Sequence, residues 1–232
     1  FLYDADPSDM RATSDYGIAL LRMGIVSPPD TKRATLDKAH SVLEAVARRN
    51  PLDKPNAMHK AWAEIELGDL YQALGERAAA ARYYERGLST SEAVQKMDPN
   101  DSTSERGLVI AAGELATEQI RSGNVSDALA TVNKAVQLGI RVESTAPRDS
   151  VRIRSVGARA WQASGSVHAA LARHERDESR RRELDASRDW YQRSMSEWRT
   201  LEPLQGFTSL YKREMDSTAA ELAALDAEEN TP

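Results

Sequence analysis

The side chains with the clearest potential for chemistry in this chain are its four histidines, at positions 40, 59, 168 and 174. His40 and Glu44 lie four residues apart, a spacing that places both on one face of a helix, where they could contact one metal ion. Two ligands are too few for a protein metal site, and no HExxH pattern or further ligand accompanies any histidine. The sequence therefore favours packed or exposed histidines, and we expect neither a metal nor another cofactor.

Signatures of catalysis are also missing from the sequence. It contains no GxxxxGK[ST], GxGxxG or GxSxG stretch. Trp190, Tyr191 and Trp198 could form an aromatic cluster that stacks on a ligand, but their spacing favours a role in sealing the last helix pair against a terminal helix. We therefore expect no catalytic residue, and the chain is predicted not to be an enzyme.

The composition excludes several other classes of function. The net charge of −5 gives no overall reason to expect nucleic-acid binding. The absence of cysteine excludes disulfides and thiolate metal sites. No apolar run approaches the length of a membrane span, so we expect no membrane insertion of this segment. The low aromatic content of 6% favours closely packed helices over a sheet core.

A sequence repeat marks the helices that would position a functional site. Pro51, Pro99 and Pro147 are spaced by 48 residues, and each is followed two residues later by an aspartate. Proline disfavours helical geometry in the residue before it, and the aspartate can cap the next helix. Gly75 and Gly123, also 48 residues apart, can end a helix in left-handed geometry. Each period is therefore predicted to hold two antiparallel helices.

This punctuation predicts one all-α domain over residues 1–232. The helices are expected at about 8–25 and 31–49, 55–74 and 76–97, 102–122 and 125–145, and 149–172 and 180–201, which gives pairs over 8–49, 55–97, 102–145 and 149–201. A last helix at 205–227 is expected to act as a cap, since Phe207, Tyr211, Met215, Ala219, Leu222 and Leu225 form one apolar stripe. The chain begins at Phe1 rather than Met, and "FLYDADP" is interpreted as the tail of an earlier helix in a longer protein.

The segment "ELGDLYQALGERAAAARYYERGL" resembles a tetratricopeptide repeat. The residues that stand at the spacings of that motif are Leu67, Gly68, Tyr71, Gly75, Ala80, Tyr84 and Leu88, with Gly87 where a small alanine is usual. Glu64 replaces the tryptophan expected early in the motif. The resemblance implies a right-handed α-solenoid of about four helix pairs plus the cap. The second helices are longer than in the ordinary 34-residue repeat.

A second resemblance concerns the whole array. Helix pairs that end in Asp-Pro every 40-odd residues, and a final "DWYQRSMSEWRTLEP" helix, are similar to the C-terminal extensions of certain bacterial serine/threonine protein kinases. No kinase motif is present in this chain. The resemblance implies a regulatory part of a larger signalling protein. We expect a cytoplasmic location, or an extracytoplasmic one if a membrane span precedes the chain.

The family resemblance implies that the first helices of the pairs line a concave surface that binds a protein or peptide segment. The residues expected on it are Ile18, Leu21, Ile25, Trp62, Ile65, Asp69, Gln72, Ile110, Thr117, Ile120, Arg159, Gln162 and Ser166. The groove should be apolar near its N-terminal end, polar near its C-terminal end, and anchored by Trp62. Ile65 and Asp69 replace the basic side chains that bind acidic chaperone tails, so such tails are not expected as partners. In a competing interpretation, Ile18 and Leu21 pack against a preceding repeat.

Two further features leave alternatives open. The array is expected to lack a cap at its N-terminal end, so the chain could instead act in oligomerisation or autoregulation of a kinase, with self-association through that end. The insert at 173–183 alternates in charge. It could contact an acidic partner, but its nearly balanced charge favours a solvated extension of two helices with local ion pairs.

Overall fold

The computed structural model describes residues 9–229, and over that range the chain is all-helical, without a strand. The helices in this range are α1 (Met10–Val26), α2 (Pro29–Arg49), α3 (Lys54–Ala73), α4 (Arg77–Met97), α5 (Ser102–Arg121), α6 (Val125–Thr145), α7 (Val151–Ala172), α8 (Asp177–Leu201) and α9 (Ser209–Glu229). The predicted all-α class is confirmed. No helix in this range combines the length and the hydropathy needed to cross a membrane.

The predicted helix ends differ from the observed ones by four residues at most. The largest differences are at the start of α9, which begins at Ser209 rather than at 205, and at the start of α8, which begins at Asp177 rather than at 180. Gly206, with φ of 97°, lies in the turn before α9 and delays that helix. The predicted start at residue 8 and the segment "FLYDADP" lie outside the described residues.

Aspartates begin three of the four first helices, as the repeat predicts. The carboxylate of Asp9 accepts hydrogen bonds from the backbone N–H groups of Arg11 and Ala12, at 2.8 and 3.1 Å. Asp53 and Asp101 accept similar bonds at the starts of α3 and α5. These bonds satisfy N–H groups that the first helical turn leaves without a partner. The fourth aspartate, Asp149, precedes the cap position of α7, which is occupied by Ser150.

Glycines follow two of the first helices, α3 and α5, and end them. Gly75 and Gly123 have φ of 76° and 81°, which L-residues with a Cβ rarely adopt. Both follow a first helix and let the chain reverse within a few residues. This conformation explains why glycine recurs at this point of the repeat.

The chain divides into two compact units, Phe1–Ala111 and Ala112–Pro232, which we call unit 1 and unit 2. In unit 1, α1 packs on α2, α2 on α3, and α3 on α4, with a smaller contact between α1 and α3. Gly24 and Gly68 allow these close contacts, because a Cβ at either would lie 2.5 Å from a side-chain atom of Leu36 or Tyr84, respectively. The residues predicted to fill this packing are all buried: Leu67, Tyr71, Ala80, Tyr84, Gly87 and Leu88. The single-domain organisation stays a prediction.

In unit 2, α6 packs on α7, α7 on α8, and α9 on α8 and, less extensively, on α7. The predicted apolar stripe of α9 forms this contact. Met215 and Leu225 are buried, and the other four stripe residues pack against the same clusters as partly buried side chains. Trp198 of α8, with no exposed surface, meets the rings of Phe207 and Tyr211, both at centroid distances of 6.3 Å. The predicted role in sealing the last pair against the terminal helix is confirmed for Trp198 and for Tyr191, which clusters with Leu225. It is wrong for Trp190, which stacks on Trp161 of α7.

We expect Gly68→Ala to destabilise the protein although alanine is the better helix former. The new Cβ would lie 2.5 Å from Cε1 of Tyr84, and overpacking of this kind costs about 1–3 kcal/mol. Gly157→Ala is the matched control, because the nearest atom to its Cβ would be 3.7 Å away and helix propensity favours alanine by up to about 1 kcal/mol. Urea unfolding followed by circular dichroism measures both. Equal stability of the two variants would contradict the packing at Gly68.

Candidate partner-binding surface

Helix α1 carries three of the predicted partner-binding residues, and they differ in exposure. Ile18 is half-buried, and Ile25 keeps 43% of its surface exposed. Leu21 keeps only 4% and lies in the core of unit 1. Of these three predicted residues, only Ile18 and Ile25 can therefore contact a partner, since Leu21 has almost no exposed surface.

Trp62 on α3 joins a core cluster to the surface of unit 1. One part of the side chain packs against the buried cluster of Met58, Ala61 and Val94. The guanidinium carbon of Arg106 on α5 lies 5.3 Å from the centroid of the ring, close enough for a cation–π contact. The residue remains half-buried. Trp62 is thus held by its neighbours while part of the residue stays accessible.

The other three predicted residues of α3 lie in different environments. Ile65 is 2% exposed and packs against Gly87 of α4, so it belongs to the α3–α4 interface. Asp69 is exposed, and its Oδ1 accepts a 2.8 Å hydrogen bond from the hydroxyl of Tyr84. Desolvation nevertheless raises the pKa of the Asp69 carboxyl, while the bond from Tyr84 works in the opposite direction. Gln72 is half-buried.

The predicted residues of α5 are divided between the two units. Ile110 is in unit 1 and is half-buried. In unit 2, Thr117 is half-buried and its hydroxyl donates to the carbonyl of Gly113 at 3.0 Å. Ile120 has no exposed surface and lies in a cluster with residues of α6 and α7. Ile120 therefore stabilises unit 2 and is not available to a partner.

All three predicted residues of α7 contact α9. Nη2 of Arg159 lies 2.5 Å from Oε2 of Glu214, and Arg159 is 6% exposed. Gln162 and Ser166 donate hydrogen bonds of 2.7 and 2.8 Å to the two carboxylate oxygens of Glu221. The polar end of the predicted groove is thus occupied by two glutamates of the terminal helix. One signal of this arrangement was present in the sequence: Glu214 and Glu221 lie seven residues apart, beside the apolar stripe of α9.

The assignment of these thirteen residues to a partner-binding surface stays a prediction. Burial reduces the number of them that a partner could contact. Leu21, Ile65, Ile120 and Arg159 are buried. Six of the predicted residues lie on the first helices of unit 1 and keep accessible surface, and we call them the unit 1 surface: Ile18, Ile25, Trp62, Asp69, Gln72 and Ile110. Four of the six are apolar, so this surface suits a partner that presents apolar side chains.

Unit 1 also contains a buried charge cluster, centred on Glu64. Glu64 has no exposed surface. Its Oε1 lies 2.8 Å from Nζ of Lys60 and 3.1 Å from Nε of Arg86. Its Oε2 accepts a hydrogen bond of 3.0 Å from Thr90, and Nε2 of His40 lies 3.4 Å from Oε1. The cluster thereby links α2, α3 and α4.

These contacts keep the carboxylate of Glu64 ionised. Burial by itself would raise the pKa of Glu64, but hydrogen bonds from His40, Lys60 and Thr90 and the charge of Lys60 together lower it below its ordinary value. Two cationic side chains therefore balance one buried anion. The sequence signal was a carboxylate within the apolar pattern of α3, where burial requires nearby cations.

The same cluster explains why His40 and Glu44 lie on one face of α2. Nη2 of Arg86 lies 2.8 Å from Oε1 of Glu44 and 3.1 Å from Nε2 of His40. A guanidinium thus occupies the place that a shared cation would take. Among residues 9–229, no group of three or more histidine, aspartate or glutamate side chains could hold a metal ion.

The charged insert is mostly helical. Helix α7 ends at Ala172 and α8 begins at Asp177, so only four residues connect the two. Glu183 of the insert lies 2.7 Å from Nδ1 of His168 on α7, and Arg182 donates to Ser179 within α8. These local contacts support the interpretation of the insert as a helix extension.

No protein-family model matches the chain, and no curated protein matches it at a significant level. The proposed function is therefore based on the fold of the chain and on the positions of its own residues.

Proposed function

We propose that this chain is a non-catalytic protein–protein interaction module, built as a right-handed tetratricopeptide-like α-solenoid of four helix pairs and a capping helix. It binds a peptide or protein segment on the surface formed by the first helices. The repeated Asp-Pro and glycine signals and the packing of each helix on its neighbour within the units support this architecture. The resemblance to bacterial kinase extensions supports a regulatory role in a larger cytoplasmic signalling protein.

The observation that carries the proposal is the accessibility of apolar side chains on the first helices of unit 1. Ile25 is 43% exposed, and Ile18, Trp62 and Ile110 are half-buried. Single exposed apolar residues are common, but several on successive helices indicate an interaction surface. Tryptophan is enriched among the residues that dominate interfaces.

The surface also defines the chemistry of the partner. Trp62 and the isoleucines favour an apolar anchor residue, and the carboxylate of Asp69 favours a donor or a basic side chain beside it. An extended or helical segment can present both groups. The partner is therefore expected to be an amphipathic segment with an apolar anchor at Trp62.

A selection of random peptides displayed on phage, using the 232-residue chain as bait, tests the proposal. We expect enriched peptides to bind the wild-type chain with about tenfold higher affinity than they bind Trp62→Ala or Ile25→Ser, measured by fluorescence anisotropy. The control is Leu52→Ser, since Leu52 is 80% exposed in the loop between α2 and α3. Thermal melts establish that Ile25→Ser remains folded. Failure to enrich any peptide, or equal affinity for all variants, would contradict the proposal.

A second candidate function is oligomerisation or autoregulation. It is favoured by the C-terminal turn of α1, where Met23 is 58% and Val26 82% exposed next to Ile25. Such side chains are available to another helix, either from a second copy or from a catalytic domain of the same protein.

A further inference from the structure

Two carboxylates of α9 are bound by polar side chains of α7. Arg159 is 6% exposed, and its Nη2 lies 2.5 Å from Oε2 of Glu214. Oε1 of Glu221 accepts a hydrogen bond of 2.7 Å from Gln162, and its Oε2 accepts one of 2.8 Å from Ser166. Each carboxylate of α9 thus has its own binding position on unit 2. We call these two positions, formed by Arg159 and by Gln162 with Ser166, the carboxylate sites.

Neighbouring side chains hold the groups of the carboxylate sites in place. Nη1 of Arg159 donates to Oγ of Ser155 at 2.8 Å. The hydroxyl of Tyr191 on α8 donates to Oγ of Ser166 at 3.2 Å. Burial and the charge of Glu221 raise the pKa of Tyr191, so its hydroxyl stays protonated and remains a donor. The donors of the carboxylate sites are therefore oriented by α7 and α8, separately from the helix that they bind.

A terminal cap does not require these polar contacts. The apolar stripe of α9 already packs on Trp198 of α8, which is the contact that a cap must make. A buried ion pair often stabilises a fold no more than apolar side chains of similar size, because both charges lose their hydration. Buried donors instead discriminate between ligands, since a ligand without carboxylates would leave them unpaired. The carboxylate sites therefore indicate recognition of acidic side chains.

The geometry of α9 defines the ligand that these sites fit. Glu214 and Glu221 are seven residues apart, which is about 10 Å along a helix axis and returns both side chains to one face. Between them, Met215 and Thr218 are buried. The matching ligand is therefore an amphipathic helix with two carboxylates seven residues apart beside an apolar stripe.

The connection between α8 and α9 determines how a free ligand would compete. Helix α8 ends at Leu201 and α9 begins at Ser209, so residues 202–208 connect them. Gly206 in this connection has φ of 97°, a conformation that favours glycine. A short connection keeps α9 at an effective concentration on the order of millimolar. A partner helix must therefore outcompete α9 to reach the carboxylate sites.

We propose that α9 is an internal ligand of the carboxylate sites and that an acidic amphipathic helix of a partner protein displaces it. The inference rests on the proposed function, because these sites belong to the α7 part of the predicted binding surface. It does not depend on peptide binding by the unit 1 surface. In the resting chain α9 blocks the sites, so access is restricted to partners that carry both carboxylates.

A synthetic peptide with the sequence of residues 207–229, which we call the α9 peptide, tests the proposal. The labelled peptide is titrated into the 232-residue chain and followed by fluorescence anisotropy. A chain that carries both Glu214→Gln and Glu221→Gln should bind it at least about tenfold more tightly than the wild-type chain does, because a weakened internal α9 leaves the sites open more often. An α9 peptide with glutamine at the same two positions should lose this gain.

Control variants separate the carboxylate sites from other surfaces. Asp216→Asn is the matched control within α9, because it neutralises an exposed carboxylate outside the sites, and it should leave peptide binding at the wild-type level. Adding Gln162→Ala to the doubly substituted chain should weaken its binding, whereas adding Trp62→Ala should not. Thermal melts establish that each variant is folded.

Amide hydrogen exchange of the wild-type chain gives a second measurement that needs no variant. A saturating amount of the α9 peptide should accelerate exchange in α9, and the glutamine peptide should do so much less. An α9 peptide that binds no chain, binds as well as its glutamine form, or leaves exchange in α9 unchanged would overturn the inference. Each of these results would leave the unit 1 surface untouched, because the selected peptides are scored by their own binding assay.

Discussion

Glu64→Gln should lower the free energy of unfolding by about 3–5 kcal/mol, because it removes the anion from a buried ion pair and leaves its cationic partners uncompensated. Lys60 and Arg86 both lie within 3.1 Å of Oε1 of Glu64, which is fully buried. Glu85→Gln is the matched control: Glu85 is exposed on α4, and surface changes of this kind stay within about 0.5 kcal/mol. Urea unfolding at neutral pH gives both values.

The pH dependence of this loss provides an independent check. The folded-state pKa of Glu64 is lower than its ordinary value of 4.5. Its contribution to stability is therefore fully present above pH 4.5 and is lost as the pH falls through the folded pKa. The difference in stability between wild type and Glu64→Gln should shrink on acidification. A difference that persists or grows in acid would contradict the assignment of an ionised carboxylate to Glu64.

Trp198→Ala should destabilise unit 2 by about 3–5 kcal/mol, since the fully buried indole leaves a large cavity when it is truncated. The ring packs against those of Phe207 and Tyr211, and the guanidinium of Arg159 is 5.9 Å from its centroid. Amide hydrogen exchange should show its largest increase in α9, because this helix depends on Trp198 for packing.

Trp190→Ala controls for the loss of an indole. Trp190 is half-buried and stacks on Trp161 at a centroid distance of 5.4 Å. Its removal should lower the free energy of unfolding by less than Trp198→Ala does. It should also leave amide hydrogen exchange in α9 nearly unchanged. Rapid exchange of α9 in the wild-type chain would contradict the role of Trp198 as the residue that holds the terminal helix.

The helix order and most helix ends could be predicted from the sequence because they depend on local chemistry. Proline restricts the residue before it, Asp53 and Asp101 cap the helix that follows them, and Gly75 and Gly123 adopt positive φ. The stripe of α9 was predictable for the same reason, since a single helical period places the five apolar residues that lie within α9 on one face, while Phe207 precedes the helix.

The orientation of the first helices was less predictable. A small rotation of α3 or α5 about its axis decides whether Ile65 or Ile120 faces a partner or the core, and in the structure both are buried. Contacts between distant residues were also missed. The cluster at Glu64 depends on Arg86, 22 residues away, and the partner of Gln162 is Glu221, 59 residues away. Local patterns do not determine such pairs.

The unit 1 surface is tested most directly by the indole N–H signals of the four tryptophans, followed by NMR while a selected peptide is titrated into the ¹⁵N-labelled chain. Trp62 belongs to the proposed surface, whereas Trp161 and Trp198 are buried in unit 2, and Trp62→Phe assigns the decisive signal. The proposal predicts that the Trp62 signal shifts to saturation while those of Trp161 and Trp198 stay in place. Saturable binding that leaves Trp62 unmoved, or that shifts Trp161 or Trp198 instead, would contradict it.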